Sequence, residues 1–124
     1  MLRCVLMALM AATFATAALA QRNFPQTALR GELMIVQPPE ALLNGRPARL
    51  GPGARIRGLD NMLKMSGALA DQKVVVHYTL DYAGLLQDVW LLTPAEAANK
   101  PWPTTEAQRT AWVFDPVGQT WSRP

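Results

Sequence analysis

The feature that most constrains this chain is an alternating run from Lys73 to Tyr82. Val74, Val76, Tyr78, Leu80 and Tyr82 fall on one side of it, and Val75, His77, Thr79 and Asp81 on the other. A side-chain period of two belongs to a strand that lays one face on a core. Ala83-Gly84 supplies a compact turn, and Leu85 to Leu92 is apolar enough to return as the partner strand. A chain organised around such a hairpin covers its core with a sheet.

No cross-link supports that core. The only cysteine is Cys4, and it lies in a segment that reads as a cleavable secretory signal, residues 1–20. Arg3 gives a short positive start, Val5 to Ala12 extended by Phe14 gives the apolar run, and Ala18-Leu19-Ala20 gives a small-residue cleavage site between Ala20 and Gln21. The apolar run stops short of the roughly 20 residues that a membrane span needs. The mature chain, 21–124, is therefore expected to be a single small exported domain of periplasmic location. Without disulfide or thiol chemistry, burial and hydrogen bonding must hold it.

Turn signals divide the rest into short strands. Leu29 to Gln37 is an apolar-rich strand closed by Pro38-Pro39, since prolines cannot donate to a ladder. Asn44-Gly45 between apolar flanks marks a tight hairpin, because both residues tolerate positive φ. Gly51-Pro52-Gly53 reads as a further turn, Ala54 to Arg57 alternates, and Asn61 to Met65 fits a short strand or one helical turn. Thr93-Pro94-Ala95-Glu96 has the pattern of a capping box opening a short helix, which Pro101 and Pro103 stop. Thr104 or Thr105 caps a second helical turn running to Thr110. The Pro- and Trp-containing stretch 101–124 then ends in a hairpin, with Trp112-Val113-Phe114 facing the segment around Trp121 across Asp115-Pro116-Val117-Gly118. The expected fold is mainly β: a small antiparallel sheet or half-barrel with one or two short helices and a C-terminal hairpin.

The residues offer little to an enzyme. His77 is the only histidine, and Asp81 lies two strand positions further on the same face, with Cβ atoms about 13 Å apart. No nucleophile motif accompanies them. A hydrolase or lyase using His77 with an aspartate is the alternative reading. Asp81 and Asp88 flank the Ala83-Gly84 turn and could form a carboxylate pair across it. Met62, Met65 and His77 could supply soft ligands to Cu(I), although two methionines at that spacing are ordinarily core. Neither cofactor nor metal is expected. Four tryptophans, Trp90, Trp102, Trp112 and Trp121, form either the core or an exposed binding patch.

Charge is uneven along the mature chain. From Gln21 to Lys64 seven basic side chains face three acidic ones, a surplus of four; from Met65 onward four basic face six acidic, a deficit of two. Arg46, Arg49, Arg55 and Arg57 concentrate the basic character and are the candidate binding residues, for an anionic surface. The expected function is a non-enzymatic binding or structural module that contacts an envelope component, with no nucleic acid as partner and no membrane span in the mature chain. An exposed sheet edge could also pair with a neighbouring protein.

Two resemblances bear on this. Leu42-Leu43-Asn44-Gly45-Arg46-Pro47-Ala48-Arg49-Leu50-Gly51-Pro52-Gly53-Ala54-Arg55-Ile56-Arg57, followed by Asp88-Val89-Trp90-Leu91-Leu92-Thr93, resembles uncharacterised small exported proteins of Gram-negative bacteria. That resemblance implies periplasmic location and no particular activity. Val74 to Gly84, then Asp88-Val89-Trp90 and Trp112-Val113-Phe114-Asp115-Pro116, is similar to the hairpin and following strand of TonB-type C-terminal domains. Pro101-Trp102-Pro103 interrupts the helix those domains carry, so the similarity implies a related binding fold and not an envelope-spanning transducer.

Overall fold

The structure, a computed structural model, describes residues 22–124. The signal peptide expected over 1–20, and its cleavage point between Ala20 and Gln21, lie outside the described residues. The described chain forms eight strands: β1 (Leu29–Gln37), β2 (Glu40–Leu43), β3 (Arg46–Arg57), β4 (Leu63–Lys64), β5 (Lys73–Leu80), β6 (Leu86–Leu91), β7 (Val113–Asp115) and β8 (Thr120–Ser122). Two short helices, α1 (Pro94–Ala97) and α2 (Glu106–Ala111), lie between β6 and β7.

The mainly β architecture with short helices and a C-terminal hairpin is as the sequence indicates. The sheet differs in being mixed. Its order is β2-β1-β5-β6-β3-β4, and an additional β2–β3 pairing joins the first of these to the fifth, so β1, β2, β3, β6 and β5 close into a ring with β4 outside it. The closing contact between β3 and β6 is parallel. The long route from β3 through β4 and a 3-10 turn (Ser66–Leu69) to β5 makes that possible, since parallel neighbours need a crossover. Leu33, Ile35, Ile56, Val76, Tyr78, Leu86 and Val89 fill the ring and are buried.

Local sequence explains the corners. Asn44 and Gly45 take φ of 54° and 78° and set the β2–β3 register, Leu43 opposite Arg46. The Gly51-Pro52-Gly53 turn expected from the sequence is instead a bend inside β3. Gly53 has φ 78°, and the β3–β6 register slips between Leu50 and Arg55. The bend lets one long strand pair with β2 at its start and with β6 and β4 at its end.

The second face of the β5–β6 hairpin is also covered, which its alternation alone did not indicate. The N-terminal strap and the stretch after β6 fold back over it. Phe24, Trp90, Trp102 and Trp121 are buried there, with Trp112 and Phe114 packed against them. The tryptophans are therefore mostly a second core and not a patch. Trp102 stacks on His77 at 4.1 Å between ring centroids, and its Nε1 donates to the Ala28 carbonyl at 3.0 Å. Gln119, buried with φ 55°, accepts the Phe24 N–H at 2.8 Å, and Asn99 donates to the Gln119 carbonyl at 2.6 Å.

Trp102→Ala removes a ring that touches His77, Phe24, Phe114 and Trp121. The expected loss is about 3–5 kcal/mol in equilibrium denaturation. Val117→Ala, at a side chain 89 % exposed, is expected to stay within about 0.5 kcal/mol of the parent.

Candidate functional site

Cross-strand partners share a face, so the register places one row across the outside of the barrel. Arg30 on β1 lies opposite His77 on β5, His77 opposite Trp90 on β6, Trp90 opposite Arg57 on β3, and Arg57 opposite Leu63 on β4. The row begins under the aromatic layer and ends in solvent.

Its covered end is closed to substrates. His77 is 1 % exposed, with Phe24 edge-on at 4.4 Å and Trp102 stacked on it. Arg30 donates to His77 Nε2 from Nε at 3.3 Å and from Nη2 at 3.1 Å, so the ring proton sits on Nδ1. No carboxylate reaches the ring, and Nδ1 has no partner among the described residues. Burial, reinforced by the charges of Arg30 and Arg22, pushes the His77 pKa down to about 3. The pairing of His77 with Asp81 is not formed, because the Asp81 carboxylate is held by the Ala83 and Leu85 N–H groups of its own turn at 2.8 and 2.9 Å. Asp88 binds Thr79 and Arg57. Met62 and Met65 are 66 % and 82 % exposed while His77 is sealed, so the three do not converge. Among the described residues no cluster of His, Cys, Asp or Glu has the makings of a metal site.

The residues around His77 form a polar clamp that sequence reasoning missed. Arg30 also donates to the carbonyls of Glu96 (2.9 Å), Ala97 (3.2 Å) and Asn99 (2.7 Å). Burial lowers its pKa and the nearby Glu96 carboxylate opposes that. Arg22 donates from Nε to Glu96 Oε2 at 2.9 Å and to the carbonyls of Gly58 and Leu91 at 2.8 and 2.6 Å. Glu96 closes the capping box with Thr93. Burial raises the Glu96 pKa, but hydrogen bonds from Arg22 and from the Thr93 N–H outweigh it and leave a net lowering. The one signal in the sequence was Arg30 near the start of an apolar-rich strand that also carries Glu32.

The four candidate arginines all lie on β3 but do not form one face. Arg49 makes an exposed ion pair with Glu40 at 3.5 Å. Arg57 is half-buried, 3.4 Å from Asp88 and over the Trp90 ring at 5.7 Å. Arg46 and Arg55 are exposed, and neither makes an ion pair among the described residues. Each opens on its own surface cleft. Arg46 shares one of about 700 Å³ with Tyr78, Leu80, Thr104 and Thr105. Arg55 shares one of about 530 Å³ with Asp81, the fully exposed Tyr82, Gln87 and Asp88. The arrangement is that of a small closed β-barrel whose basic strand is free at two points. No protein family, characterised protein or solved structure matches the chain.

The buried neutral histidine sets a pH dependence. The native pKa, about 3, lies below the ordinary 6.5. Below pH 6.5 the unfolded chain therefore takes up a proton that the native state refuses. Stability falls with falling pH at up to about 1.4 kcal/mol per unit, until the native state also protonates. Down to about pH 5.5, one unit above the ordinary Glu96 pKa of 4.5 and so before that carboxylate protonates appreciably in the unfolded chain, the His77 contribution stands apart. Denaturation midpoints measured over that window are expected to drop for the parent and to be nearly flat for His77→Gln.

Proposed function

We propose that this protein is an exported, non-enzymatic binding module that contacts an anionic component of the cell envelope through β3. The observation that carries the reading is the pair Arg46 and Arg55, exposed guanidinium groups on one strand that make no ion pair among the described residues, Arg55 standing opposite Asp88 in the register without bonding it. Guanidinium forks pair with phosphate oxygens in a geometry lysine does not reproduce. The lack of a carboxylate beside His77, and the use of Asp81 and Asp88 in structural hydrogen bonds, give the hydrolase alternative no support. Periplasmic location follows on this reading from the signal-like residues 1–20.

Exposed charge pairs are individually weak and are screened beyond about 8 Å at physiological salt. Binding should need both arginines and fade as salt rises. The test is co-sedimentation of the purified protein with anionic vesicles at low and high salt, beside Arg46→Gln/Arg55→Gln. The expected result is parent binding at low salt, with a loss of about ten-fold or more in the double variant. Equal binding by the two proteins, or binding indifferent to salt, refutes the role of β3.

A further inference from the structure

At the end of the ring where the β2–β3 hairpin turns, the cleft of about 700 Å³ holds an arginine on a core-facing position. Arg46, Ala48 and Leu50 alternate along β3; Leu50 is buried in the barrel core and Ala48 packs against it. Leu43, directly opposite Arg46, packs against the same core. Cross-strand partners share a face, so Arg46 is the outermost member of an inward row, at the mouth of the barrel. It makes no ion pair among the described residues.

Its neighbours in the cleft are hydrogen-bond donors with protons to spare. Tyr78 is only 4 % exposed, with its ring in the core, yet its hydroxyl, which no described residue bonds, reaches the cleft. The ring gets there across Gly31, where a Cβ would lie 3.0 Å from Tyr78 Cε1 and 3.1 Å from Asn44 Oδ1. The missing side chain thus seats the phenol beside the hairpin. Asn44 Oδ1 accepts the Glu32 N–H at 2.9 Å, which leaves both Nδ2 hydrogens unused among the described residues. Thr105 Oγ1 accepts the Gln108 N–H at 3.2 Å, and its own hydroxyl hydrogen stays free. Burial, reinforced by the Glu106 charge, raises the Tyr78 pKa, so the phenol keeps its proton. Leu43 and Leu80 add apolar wall.

A guanidinium, a phenol, an amide and a hydroxyl with free protons call for an acceptor-rich group, and the unpaired cation calls for a negative one. Glu106 acts on Tyr78 from nearby, although Arg109 pairs with it at 2.6 Å, so the cleft suits one negative charge better than two. Barrel mouths with apolar walls and a few polar groups are ordinary places for small ligands. We infer that the mouth of the barrel binds a small organic carboxylate, whose charged end meets Arg46 and the Tyr78 hydroxyl while its apolar stem lies against Leu43 and Leu80. The site shares Arg46 with the proposed β3 contact but stands apart from it, since it needs neither Arg55 nor a surface.

The test titrates the isotope-labelled protein with hexanoate at constant ionic strength and follows the amide NMR spectrum. Hexanol is the uncharged arm and inorganic phosphate the more highly charged one. Hexanoate is expected to shift Asn44, Gly84 and Thr105 saturably, and the other two probes to bind more weakly. Tyr78→Phe removes one oxygen and keeps the ring, so a parent-like spectrum away from the mouth is expected and confirms folding. It should bind hexanoate about ten-fold more weakly, the loss of one hydrogen bond to a charge. Arg46→Gln should lose at least as much, and Arg55→Gln should match the parent. No saturable shift in the parent, or shifts confined to residues away from the mouth, overturns the site and leaves the β3 contact, read on vesicles, untouched. Tyr78→Phe binding equal to the parent's overturns the site as argued. Hexanol binding as tightly as hexanoate overturns the carboxylate, and phosphate binding more tightly overturns the single charge. Hexanoate binding by a protein that ignores vesicles upholds the site and refutes the surface contact alone.

Discussion

The structure outside the barrel depends on the guanidinium of Arg30. It sits between β5 and the end of α1, with His77 on one side and the carbonyls of Glu96, Ala97 and Asn99 on the other. A four-residue helix leaves most of its carbonyls without intrahelical donors, and here they are turned toward the protein. Arg30 satisfies that of Ala97, adds a second donor to that of Glu96 and reaches Asn99 just beyond the helix, with a fork that no neutral side chain could replace. By the same bonds it fixes the His77 tautomer, and the ring then serves as a flat surface for Trp102. One cation thereby joins the first strand, the central hairpin and the C-terminal stretch. Its charge also contributes to keeping His77 neutral, and a neutral ring is what an aromatic layer can bury.

A domain without described disulfides needs more buried surface than one small barrel interior supplies. β5 and β6 meet that need by serving two cores at once. Val76, Tyr78 and Val89 face into the ring, while His77 and Trp90 face the aromatic layer. Arg22 secures the arrangement from the N-terminal side, bridging Glu96 to the backbone at Gly58 and Leu91. The strap thus touches the capped start of α1, the end of β6 and the exit of β3.

Much of this fold was legible because its local signals were strong. The β1 stop at Pro38, the Asn44-Gly45 hairpin, the Thr93 capping box and the Phe114–Trp121 hairpin pairing each follow from one or two residues, and each is present. The ring closure was not legible. A parallel contact between β3 and β6 is non-local, and the bend that permits it, at Gly51-Pro52-Gly53, has the composition of a loop. The burial of His77 was hidden for a related reason. Val75, His77, Thr79 and Asp81 are the less apolar face of the strand, and its middle is covered only by the N-terminal strap and by the return of a stretch some 25 residues downstream. The arginines could be listed from sequence, but which are paired depends on register: Arg57 meets Asp88 through the parallel contact, and Arg49 meets Glu40 through the β2–β3 hairpin.

The distribution of apolar surface carries the last step. This chain covers a polar-looking strand face with three buried tryptophans and draws its N-terminal strap across them. Material to cover apolar side chains is therefore at hand within a hundred residues. Yet Leu59, Met62, Leu63 and Met65 stay in water, on a hairpin whose own backbone bonds are complete enough to fix its shape. Scattered exposed apolar residues are ordinary on any surface, whereas four on one ordered tip form a local concentration. The chain places it at the end of its most basic strand, where Arg57 leads out of the sealed row to Leu63. The outer row therefore passes from a buried, neutral histidine to a cation beside exposed hydrocarbon, and the two ends obey opposite rules. At the His77 end charge is excluded so that rings can pack; at the Leu63 end charge and apolar surface are presented together.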